Sequence, residues 1–236
     1  KGTTVVANAD ARGHYSVDVS MLTAPLVLWA SEAGNPNCRS NRLPRAICVT
    51  ALLASLRLGD NTANLNPLTD LITSDVATAL HVIGPQQLAE GDAAPIVAPS
   101  VYSTALGQLR AGFGAALTLA GVGNVDSFDP VRTPMHADGR GVDAVLSVIH
   151  HTRGYDNNSG ESSATVITDA NWRPISPPFG TKANEPLQLE RAQAERAAIR
   201  NAKLRIFIVG DSTAATYERQ RQPRMGWGQV FESQWG

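Results

Sequence analysis

This sequence has little charge. Of its 236 residues 17% are charged, and the 20 basic and 21 acidic side chains leave a net charge of −1. No run or stripe of lysine and arginine is present, which excludes the basic footprint of a nucleic-acid binder or of a membrane-surface helix. No apolar run reaches the roughly 18 residues of a membrane span, and no signal peptide is visible at the start. Cysteine is limited to two residues. What is present is a 43% hydrophobic fraction, enough for a sizeable core, with abundant Gly, Ala, Ser, Thr and Asn. That balance fits an exported protein, and the length is long for one domain and comfortable for two.

The two cysteines, Cys38 and Cys48, stand in "NPNCRSNRLPRAIC" with nine residues between them. A bridge closing so short a loop would stabilise the fold by roughly 2–3 kcal/mol in the chain-entropy model. The polar residues around Cys38 read as an exposed loop and favour a disulfide over two buried thiols. A disulfide in turn implies an oxidising compartment, and so a secreted or cell-surface location.

Along the chain the hydrophobic period changes. Residues 1–58 read as β: a turn at Asp10-Ala11-Arg12-Gly13, alternation at Tyr15, Val17 and Val19, an apolar strand in "APLVLWAS", and another in "AICVTALLASLRL". Residues 59–176 read as mainly helical with a terminal β segment. "NPLTDLITSDVATALHVIG" carries apolar residues at Leu68, Leu71, Ile72, Val76 and Leu80 between an Asn66-Pro67 start and a Gly84-Pro85 stop. A second helix starts near Pro99 and ends at Gly121, with Gly107, Gly112 and Gly114 predicting close packing. "GRGVDAVLSVIHHTRG" reads as a third, shorter helix, and "SATVITDANWRPI" as a strand ending in a turn. Residues 177–202 are a linker followed by a charged helix.

The residues with most chemical content are in "RIFIVGDSTAATY". Ile206 to Val209 form an apolar run of the kind a strand buried on both faces needs. Gly210 permits a tight turn, and Asp211 and Ser212 follow before a helix. A serine at a strand's end and a helix's first turn exposes its oxygen among backbone N–H groups able to hold an oxyanion. A plain capped turn, with Asp and Ser as helix caps, would look the same over four residues.

With "GWGQ" following at 226–229, this block resembles the first motif of the SGNH hydrolases, and among them the rhamnogalacturonan acetylesterase-like enzymes. The resemblance implies a flavodoxin-like α/β/α domain beginning at residues 203–236. It makes Ser212 the nucleophile and an oxyanion N–H donor, Asp211 the acidic neighbour supporting the turn, and Trp227 and Gln229 part of the segment beside the substrate. It implies no cofactor, and acetylated plant cell-wall polysaccharide as the substrate partner. The family's remaining oxyanion residues and its Asp-x-x-His base have no match after Ser212. The remainder of the hydrolase domain is therefore expected as another chain or fragment, and this chain alone is expected to be inactive.

Upstream, "ADARGHYSVDVSMLTAPLVLWAS" resembles small immunoglobulin-like or carboxypeptidase-regulatory-like sandwiches whose first strand would precede Lys1, with an export signal before it. Residues 61–176 resemble a helical segment of secreted bacterial proteins. The fold expected from all of this is multidomain: a β-sandwich-like unit, a mainly α segment, and the start of an α/β/α hydrolase. Two other functions fit the same pattern. One is a non-catalytic accessory or binding module, with Trp172 the best placed of four scattered tryptophans to stack on sugar. The other is an extracellular structural protein that self-associates by strand addition.

The histidines give no substitute base. His14 lies by a turn, His81 ends a helix, His136 lies in a loop, and His150-His151 end the third helix. Adjacent residues on a helix point about 100° apart, so the pair is not read as a metal site.

Overall fold

The computed structural model describes residues 4–31, 48–57, 59, 62–82, 88, 97–155, 162–171, 173–175 and 186–201, with the side chains of 48, 152–155 and 162–164 outside that description. The apolar run after Pro25 forms strand β1 (Leu26–Ser31), which pairs antiparallel with β2 (Cys48–Leu53), placing Trp29 opposite Thr50. Helix α1 (Pro67–Ala79) starts as its sequence demands. Asn66 Oδ1 accepts from the N–H groups of Leu68 and Thr69, and the Asn66 N–H donates to Thr69 Oγ1 at 3.0 Å, a reciprocal capping box. Helix α2 (Pro99–Leu119) begins on Pro99 and stops at Gly121, whose φ of +93 suits glycine. A short 3-10 turn (Val125–Ser127), capped by Asn124, leads to helix α3 (Gly141–Leu146). Strands β3 (Ile149–Tyr155) and β4 (Ser162–Asp169) form a second antiparallel pair, and helix α4 (Leu189–Asn201) follows. The architecture of the described residues is thus mixed α/β with two small antiparallel sheets.

Helix α1 lies at the centre, with Leu68 through Ala77 all buried. At about 100° per residue, Leu68, Leu71, Ile72 and Val76 share one face. They join Leu109, Phe113 and Leu117 of α2 in the main core, which also takes in Val27, Leu52, Val145 and Ile167. Burying one such leucine stabilises the fold by about 1.5–3 kcal/mol. The opposite face of α1 is polar and buried, and it meets the strands. Thr50 donates its N–H to Asp70 and accepts at its carbonyl from Thr69 Oγ1, while Thr165 donates its N–H to Ser74 Oγ. Side chains of α1 thus satisfy edge groups of β2 and β4 that would otherwise need another strand.

Two compact units divide the chain, Lys1–Arg196 and Ala197–Gly236. Three sequence expectations change. His150 and His151 stand in β3 and do not end a helix, so their side chains project to opposite faces of a strand. Tyr15, Val17 and Val19 alternate half-buried with exposed neighbours as expected, yet no strand ladder forms over residues 4–25. The turn before them does form: Asp10 Oδ1 accepts from the N–H groups of Arg12 and His14, with Gly13 at φ +80. Within residues 1–58 the described part holds one two-stranded sheet, and that sheet shares its core with α1 and α2 across the boundary expected at 58–59. The hydrolase segment 203–236 lies outside the described residues.

Candidate functional site

The most connected polar group among the described residues is Asp70, which is fully buried on α1. Its Oδ1 accepts from the Thr50 N–H at 2.7 Å and from Thr50 Oγ1 at 2.6 Å. Its Oδ2 accepts from Thr165 Oγ1 at 2.5 Å and lies 2.8 Å from His151 Nε2. A carboxylate offers about four lone-pair sites, and here each is met. With Asp70 ionised, Nε2 of His151 must carry the proton in this contact, which fixes the ring's tautomer. The imidazole is 17% exposed, so its outer edge reaches solvent while its inner edge is held.

A buried carboxylate orienting a histidine is also how hydrolytic triads are built. Here, among the described residues, no hydroxyl or thiol is hydrogen-bonded to the imidazole. The pair has the carboxylate and the base of a triad without the nucleophile. What the arrangement does is join β2, β3 and β4 to α1 through one side chain. No group of three His, Cys, Asp or Glu side chains among the described residues is placed to hold a metal ion. No described helix is long and apolar enough to cross a membrane.

A second polar cluster sits where β4 turns toward α4. Asp169 accepts from the N–H groups of Asn171 and Arg173 and from Arg173 Nε at 2.6 Å. The Arg173 Nη2 reaches both carboxylate oxygens of Glu195 at 2.7 Å, and Arg191 stands 3.9 Å from both acids. His150 faces this side. Burial, and then the nearby Arg196 charge, hold its imidazole below the ordinary range.

Of the residues chosen from sequence, Ser212, Asp211, Trp227 and Gln229 lie outside the described residues, as do Cys38, Trp172 and Trp235. Cys48 opens β2 opposite Ser31, with its side chain undescribed, so the Cys38–Cys48 bridge also lies outside the description. His14 pairs with Asp10 at 3.6 Å on the surface, and His81 and His136 are exposed. Trp29 projects from β1 and is 38% exposed. Sequence reading missed Asp70 and Thr165, and it noted His151 without its partner. No known protein family, curated protein or solved structure matches the chain.

Proposed function

We propose that the chain is the N-terminal part of a secreted carbohydrate esterase that removes acetyl groups from plant cell-wall polysaccharide through Ser212. The observation that carries this is the block "RIFIVGDSTAATY" with "GWGQ" after it. Ser212 would attack the acetyl carbonyl and its own N–H would help hold the oxyanion. The acetyl-enzyme would then be hydrolysed with a histidine that has no counterpart after Ser212. Cysteine spacing and low charge support an extracellular location. The chain alone is expected to be inert toward p-nitrophenyl acetate and to gain hydrolysis when the rest of the hydrolase domain is supplied. Ser212→Ala should abolish that gain, and a fluorophosphonate should add its mass to Ser212. Hydrolysis that persists in Ser212→Ala, or no hydrolysis with the domain complete, overturns the proposal.

A second reading, an accessory module upstream of an enzyme, is favoured by one observation. Lys1–Arg196 forms its own compact unit with its own core, and its Asp70–His151 pair has no nucleophile among the described residues. Binding of the intact Ser212→Ala protein to acetylated pectin in a pull-down tests it. Equal recovery from pectin and from an inert resin would remove it.

A further inference from the structure

Asp75 occupies a place on α1 that helix geometry makes unfavourable for a carboxylate. At about 100° per residue it projects among Leu68, Leu71, Ile72 and Ala79, in the middle of the apolar face and across the helix from the Asp70–His151 pair. The residue is 4% exposed. Among the described residues its carboxyl has no hydrogen-bond partner, whereas Asp70 on the same helix has four contacts. Asp75 also lies in the second half of α1, where the last turn carries no basic residue and the helix dipole opposes negative charge. Burial pushes its pKa up to about 7, and among the described residues no charged side chain acts on it from α2, β2 or β4, the elements packed most closely on α1.

We propose that Asp75 makes the seating of α1 proton-dependent. With the carboxyl neutral, the helix stays in the core. With the carboxyl ionised, its near-complete burial works against that seating and favours states that give the carboxylate more water. Because Thr69, Asp70 and Ser74 of the same helix hold the edges of β2 and β4, loosening α1 loosens both sheets. The direction follows from linkage: the folded chain holds a proton that the unfolded chain releases near pH 4, so stability falls as pH rises from about 4 to about 7 and is flat beyond. His150, depressed by burial, acts in the opposite sense, losing stability as pH falls below the ordinary imidazole range.

The test is urea unfolding of the full chain at pH 5 and pH 8, for the wild type and for Asp75→Asn, which keeps the shape and cannot ionise. The wild-type unfolding constant should rise between these pH values by at least about tenfold more than that of Asp75→Asn, and by up to about a hundredfold if the whole shift is expressed. Equal pH dependence in the two proteins overturns the proposal. Should Asp75→Asn fail to fold, the carboxyl carbon of Asp75 in the labelled wild type decides by its NMR titration. A midpoint near 7 upholds the proposal, and one in the ordinary carboxylate range ends it.

Discussion

A buried carboxylate is costly unless donors replace the water it leaves, and Asp70 shows what a full replacement looks like. Its two oxygens take one backbone N–H, two threonine hydroxyls and an imidazole. Asp70→Ala would leave those donors without their acceptor and open a small void, a loss of about 3–5 kcal/mol by analogy with broken buried pairs. Thr165→Val removes one donor and leaves three, so about 1 kcal/mol is expected. Urea unfolding of the two variants should rank them in that order, and a cost for Asp70→Ala no greater than for Thr165→Val would show that the network is not cooperative. None of this was legible from periodicity. Asp70 lies on the polar side of α1, which a period-3.6 pattern assigns to solvent, and its partners come from three strands distant in sequence. Asp75 was legible in principle, because it interrupts the stripe of Leu68, Leu71, Ile72 and Val76.

Among the elements, those whose signals are local were readable and those defined by pairing were not. Asn66-Pro67 before α1, and Pro99 and Gly121 around α2, are chemical boundary marks, and both helices follow them. Gly114 shows the close approach expected, since a Cβ there would meet Val125 at 3.3 Å, whereas at Gly107 it would meet nothing within 4 Å. The segment read as one short helix carries Val142, Val145, Leu146 and Ile149 at helical spacing, but α3 takes only Gly141–Leu146, and Ile149 onward pairs with β4. The cap of α1 gives a clean measurement: Asn66→Ala should destabilise the fold by about 1 kcal/mol, and Asn66→Asp by much less, because the aspartate oxygen accepts from the same N–H groups. A thermal melt in which both substitutions act alike would refute the capping role. At the other end, the Arg173 side chain is 45% exposed while Asp169 is 5% exposed. Arg173→Ala is therefore expected to cost under about 1 kcal/mol, as exposed pairs do. Asp169→Ala should cost more, because it strands the N–H groups of Asn171 and Arg173 in the turn as well.

At the scale of the whole molecule the question is which residues need one another to fold. The core built from β2, α1, α2, β3 and β4 closes within Lys1–Arg196, and it contains the Asp70 network and Asp75 as well. The segment read as hydrolase, residues 203–236, offers by sequence one apolar strand and the start of a helix. If stability resides in the first unit and chemistry in the second, the two separate experimentally. A chain truncated after Asn201 should show the same cooperative urea transition as the full chain, with the same midpoint and the same fall in stability from pH 5 to pH 8. Ser212→Ala in the full chain should leave that transition untouched as well, and under the proposed esterase reading it should remove acetyl-ester hydrolysis. A truncated chain that loses its transition would mean that residues beyond Asn201 belong to the first core, and the division at Arg196 would have to be redrawn.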